Sequence, residues 1–181
     1  IKKGYKVLVV DKRIKSSNDQ RTLAVNANSK DFLKSLGIWN QLKNKPQKIN
    51  KIIIKDTINK GPLIFEHKKE EMGNVILNNE LLLKSINHLK ANKSILEISD
   101  LDISQLQENK IIKLKNKKYF FNHIILSIGK KFEDNTLIKK YSIPNLHQAY
   151  VGFFEHSVNH HQTAYEIFTK RGPLAVLPSP N

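Results

Sequence analysis

Cysteine is absent from the chain, which excludes a disulfide framework, thiolate catalysis and cysteine-ligated zinc. Arginine is almost absent: Arg13, Arg21 and Arg171 stand alone among 31 basic residues. A nucleic-acid reader more often relies on arginine, whose planar fork suits phosphates and base edges. No RNP aromatic pattern, zinc knuckle or recognition-helix signature is present either. The formal net charge of +15 therefore reads as an overuse of lysine spread through the chain, and no nucleic-acid partner is expected. A generally basic surface still suits peripheral contact with anionic lipid. No run approaches the roughly 20 apolar residues that span a bilayer. Ile1 opens the chain without a signal peptide's apolar region or cleavage site. A cytoplasmic protein, peripheral on the inner membrane at most, is the expectation.

What is present suffices for a core. Hydrophobic residues make up 39% of 181, enough for one or two small domains. Gly4 to Arg13 reads GYKVLVVDKR: a turn glycine, an apolar strand, then Asp11 at the strand's end. The second strand of a nucleotide-binding βαβ unit has this form, with the acid placed for a pair of ribose hydroxyls. The GxGxxG loop that precedes such a strand is not in the sequence: either the chain is a fragment of a dinucleotide-binding protein, which the rest of the sequence favours, or the strand is an ordinary one.

Further along, 14–26 is polar and reads as a loop. Asn28-Ser29 looks like an N-cap. Phe32, Leu33, Leu36 and Trp39 follow at helical spacing, with Gly37 at the helix end. Residues 49–56 alternate as a strand, and 63–65 return after Gly61-Pro62 as a β-ribbon. Val75 to Leu77 is extended, and 79–90 is a helix with Leu82, Leu83, Ile86 and Leu89 on one face. Strands are expected at 94–99, in a hairpin of 110–114 and 118–121, and at 124–128, this last one buried. Residues 133–141 are helical in outline. Residues 149–156, 163–169 and 174–177 read as three strands of an antiparallel sheet. Early alternation of β and α with later strands argues α/β with a second, β-rich part.

Two segments carry a resemblance. Arg21 to Trp39 reads RTLAVNANSKDFLKSLGIW, and Glu155 to Pro178 reads EHSVNHHQTAYEIFTKRGPLAVLP. Together they resemble the FAD-dependent aromatic hydroxylases, specifically the ubiquinone-biosynthesis group of flavoprotein monooxygenases. Residues 168–178, FTKRGPLAVLP, are the more specific match, and Gly73 to Leu81, GNVILNNEL, also matches. The family protein is about twice as long, so the resemblance implies an internal piece. It implies a Rossmann-like FAD-binding part (residues 1–48 and 73–143, its first strand and glycine loop missing). It also implies an antiparallel β-rich substrate part (49–72 and 144–181).

The resemblance further implies FAD as cofactor, NAD(P)H as reductant, O2 as co-substrate and a small prenylated aromatic substrate. Proteins of the ubiquinone pathway are implied as partners. It assigns cofactor contacts to Asp11, Arg13, Arg21, Asn78 and Gly129. For Asp11 the plain alternative is a solvated strand-end acid, for Arg21 a surface arginine, and for Asn78 a simple helix cap. The family's Ala-Asp-Gly segment departs here: Ser127, Ile128, Gly129, Lys130 and Lys131 keep the glycine and lose the acid. A catalytically degenerate paralogue acting as a binding protein is the rival reading. His156, His160 and His161 have metal-like spacing, but a solvated turn explains them better and no metal is expected. Trp39 reads as a packing residue.

Overall fold

The computed structural model describes residues 4–11, 21–58, 61–67, 70–92, 95–97, 110–127, 139, 141 and 148–179. In chain order the elements are β1 (Leu8–Val10), β2 (Thr22–Asn26), α1 (Ala27–Ser35), a 3₁₀ turn (Trp39–Gln41), β3 (Gln47–Ile49) and β4 (Lys51–Asp56). They continue with β5 (Leu63–Glu66), β6 (Gly73–Leu77), α2 (Asn78–Ala91), β7 (Ile95–Glu97), β8 (Ile111–Leu114), β9 (Lys117–Phe120), β10 (Thr163–Thr169) and β11 (Gly172–Val176). The fold is mixed α/β with mostly antiparallel pairing, and it divides into two compact units.

One unit comprises Ile1–Lys15 and Leu89–Tyr150. Here β1 pairs in parallel with β7, and β8 pairs antiparallel with β9. Alternation along β8 turns Ile112 and Leu114 inward. They form a core with Leu8, Val10, Tyr119, Phe121 and Leu126. The apolar β1 strand is thus covered by one face of a hairpin.

The other unit comprises Ser16–His88 and Val151–Asn181. β2, β6 and β3 form an antiparallel sheet with β6 in the middle. Gly73 lets the strands approach closely there: a Cβ would stand 3.1 Å from the Val25 carbonyl oxygen, and the strands would have to part by a few tenths of an ångström. The second sheet has the order β11-β10-β4-β5. Ile49, Val75 and Ala164 pack together with Ile52, joining the two sheets. Strands β4 and β10, far apart in sequence, thus lie side by side in one sheet.

Helix α1 is bounded by local chemistry. The Asn26 side chain accepts a hydrogen bond from the Ser29 amide at 2.8 Å. At the other end Gly37 has φ of 75°. Its N–H donates to Lys34 O, and that of Ile38 donates to Leu33 O. This is a Schellman ending, which only glycine adopts without strain.

Six expectations are corrected. Residues 22–26 are a strand, because β6 offers them a full antiparallel register. The cap of α1 is Asn26 and not Asn28-Ser29, since β2 runs straight into the helix. The 49–56 strand breaks at Asn50, where the chain changes sheet. The triplet Ile124 to Leu126 is not in a strand, and Ile125 is 90% exposed. Residues 149–156 form no strand and carry exposed Tyr150 and Phe154, alternation without a pairing partner. In addition, β10 runs parallel to β4 and antiparallel only to β11. The helix expected over 133–141 lies largely outside the described residues.

Candidate functional site

The pairing of β2 with β6 places Thr22 opposite Leu77. The residues just beyond this pair are Arg21 and Asn78, two of the expected cofactor contacts. The Asn78 N–H donates to the Arg21 carbonyl oxygen at 2.9 Å. Asn78 is half-buried and opens the 14-residue helix α2, while Arg21 is exposed. The backbones of Arg21 and Asn78 thus meet at the start of a helix, an end that favours negative charge.

The next residues reinforce this helix start. The Asn79 side-chain oxygen is buried and has no hydrogen-bond donor among the described residues. The Glu80 carboxylate accepts from the Lys43 amide. It also accepts from the Asn44 amide, at 3.2 and 3.3 Å, fixing the 43–44 loop to the first turn. In β6 itself Asn74 is buried, and its amide nitrogen has no acceptor among the described residues.

Beside α1, Lys30 bonds to Glu71, and Lys48 pairs with the same carboxylate at 3.4 Å. The Lys30 ammonium also stands 5.7 Å from the centre of the Trp39 ring. Burial, then the Lys34 and Lys48 charges, push Lys30 below the ordinary lysine pKa, against the opposing pull of Asp31. Trp39 therefore packs under a cation, as a structural residue does.

Asp11 directly follows β1, exposed at its carboxyl end. That is the end of a parallel strand at which open α/β sheets bind ligands. It belongs to the first unit, while Arg21 and Asn78 belong to the second. Arg13 and Gly129 lie outside the described residues.

The histidines are used locally. His160 Nδ1 accepts from the Gln162 amide at 2.9 Å. The Thr163 N–H donates to His160 O at 2.9 Å. With φ of 47° at His161 and 55° at Gln162, this is a type I′ turn built without glycine. No group of three acidic, histidine or cysteine residues able to hold a metal occurs among the described residues. The turn borders an open groove of about 550 Å³ lined by Lys51, Glu66, His67, His161, Thr163 and Tyr165. The solvated turn expected at the histidines is thus present at 160–163, whereas the groove, which has no local motif, was not expected. Asn79 differs: its place beside Asn78 at a helix start was a usable signal.

No family model matches the chain. It is 24% identical over 178 residues to the ubiquinone biosynthesis monooxygenase COQ6, mitochondrial, of Caenorhabditis elegans. That alignment covers 88% of this chain and 38% of the relative, so the chain spans well under half of the relative's length. Among solved structures, the chain is similar to CtdE in complex with FAD and substrate 4, at a TM-score of 0.44 and 16% identity. That match covers 65% of this chain and 28% of the other. CtdE in complex with FAD gives 0.39 and 17%, with coverages of 65% and 28%. Tetracycline destructase Tet(51) gives 0.36 and 15%, with coverages of 64% and 27%. These structural likenesses are too slight to build on. Along most of its length the chain is a distant relative of a ubiquinone-biosynthesis monooxygenase, as the Arg21–Trp39 and Glu155–Pro178 segments implied.

Proposed function

We propose that this chain is part of an FAD-dependent monooxygenase that hydroxylates a prenylated phenol ring in ubiquinone biosynthesis. The similarity to COQ6 along 88% of the chain carries this reading. Two observations support a cofactor role: the backbones of Arg21 and Asn78 meet at a helix start, and a buried acceptor on Asn79 lacks a donor among the described residues. Arg21 would hold the pyrophosphate through its fork, and Asn78 would donate to the ribityl or phosphate oxygens. Asp11 would accept both hydroxyls of the adenosine ribose. Arg13 and Gly129 complete the proposed set. When bound, FAD supplies the activation of O2, with NAD(P)H as reductant. The protein's own share is to orient the ring, exclude water and shape the pocket. The β10–β11 pair would form part of the wall over the substrate. Contact with a membrane surface and with other proteins of the pathway belongs to the same proposal.

One observation favours a second reading. The segment Ser127 to Lys131 lacks the acid that its family counterpart places beside glycine. A flavin-fold protein that has lost turnover and acts as a scaffold would carry such a change.

The test uses the full-length polypeptide that contains this chain. Its visible spectrum is expected to show bound flavin, and Arg21→Ala is expected to weaken FAD binding about 10- to 100-fold. A protein that binds FAD without consuming O2 or NAD(P)H moves the assignment to the second reading. A colourless protein that takes up no added FAD ends the first reading and also moves the assignment to the second.

A further inference from the structure

We propose that the outward face of the β8–β9 hairpin docks on an anionic lipid bilayer. This names a surface for the membrane contact suggested above and is independent of flavin binding. Between Lys110 and Ser127 the chain has five lysines, Lys110, Lys113, Lys115, Lys117 and Lys118, and no carboxylate. The two faces of the hairpin have different fates. Ile112, Leu114 and Tyr119 are inward, in the core of their unit. The outward face bears the directly opposed pair Lys113 and Lys118 and, one pair further on, Ile111 and Phe120. Both lysines are exposed, and Phe120 is 78% exposed.

Like charges directly opposite across a ladder are destabilising. Neither Lys113 nor Lys118 makes an ion pair among the described residues. The repulsion is relieved when an anionic surface lies against the pair. An aromatic ring beside them suits the headgroup level of a bilayer, where an apolar body is buried and its neighbours stay wet. Lysine, a compact charge with no directional fork, suits a field of mobile headgroups better than fixed base edges. These features favour lipid over nucleic acid.

The experiment is vesicle co-sedimentation of the full-length protein. It uses phosphatidylcholine vesicles with and without roughly one-third phosphatidylserine, at physiological ionic strength. Lys113→Ala/Lys118→Ala is expected to weaken binding to the anionic vesicles about 30-fold. Phe120→Ser is expected to weaken it about tenfold. Lys43→Ala/Lys45→Ala removes equal charge from exposed positions in the other unit and is expected to change binding less than about twofold. The single variant Lys113→Glu replaces repulsion by attraction, so it is expected to keep the fold while weakening binding. The flavin spectrum of each variant is recorded alongside and is expected not to change. Equal loss in the two lysine pairs, undiminished binding by the hairpin variants, or equal binding to neutral vesicles overturns the proposal. Tighter binding to a DNA duplex than to anionic vesicles overturns it in favour of nucleic acid.

Discussion

Two antiparallel ribbons in this chain have similar geometry and opposite electrostatics. In β4–β5, Lys51 lies opposite Glu66 at 3.4 Å, and the remaining pairs are Ile52 with Phe65, Ile53 with Ile64 and Ile54 with Leu63. In β8–β9, Lys113 lies opposite Lys118 and Leu114 opposite Lys117. The first ribbon is extended by β10 and β11 into a four-stranded sheet. Lys55 of β4 adds a contact to the Tyr165 ring of β10, 5.9 Å from its centre. The second ribbon has no further strand paired to it among the described residues and uses one face only, over β1. The first is satisfied within its own unit. In the second, Lys113 and Lys118 make no ion pair among the described residues.

The comparison can be broken most strongly at the cores. Val75 is fully buried between the two sheets. Val75→Asp places an unpaired carboxylate there and is expected to cost more than about 4 kcal/mol, enough to unfold the sheet unit. Loss of the cooperative urea transition measures this, and a retained transition would contradict it. Leu114→Ala is expected to cost about 2–4 kcal/mol, seen as faster amide exchange in the hairpin; unchanged exchange would mean that the ribbon does not need its inner face.

Smaller changes sharpen the comparison. His161→Gly keeps the backbone bonds of the type I′ turn and removes a left-handed side chain. It is expected to gain up to about 1 kcal/mol, read as a raised urea midpoint. A lowered midpoint would show that the imidazole itself stabilises the turn. Charge changes in the two ribbons should differ in sign by a few tenths of a kcal/mol each. Lys51→Glu is expected to destabilise the first ribbon, and Lys113→Glu to stabilise the second. Shifts of the same sign in both would remove the contrast.

How much of this was legible depended on the range of the interaction. The end of α1 was readable because Gly37 acts through bonds three to five residues away. The β4–β5 ribbon and the β8–β9 hairpin were readable because each pairs through a short turn. The strand at Thr22–Asn26 was not, since its partner β6 lies far along the chain and a polar approach looks like a loop. That error hid a feature of the candidate site. Arg21 and Asn78 were proposed as separate residues, and the β2–β6 pairing brings their backbones together. Ile124 to Leu126 misled for another reason: apolar side chains need not be buried, since much of a protein's surface is apolar. Residues 149–156 alternate as strands do, but alternation does not supply a partner.

One bond gives the sheet a history as well as a shape. The Asn50 side-chain amide donates to Gln162, 112 residues later, at the point where β10 comes to lie beside β4. On the ribosome the Leu63–Glu66 strand can close onto β4 long before β10 exists. At ordinary synthesis rates that interval is on the order of ten seconds. Throughout it the other edge of β4, rich in isoleucine, is an open template for any passing strand. A chaperone that shields this nascent ribbon would govern the yield of folded protein while leaving its final stability unchanged.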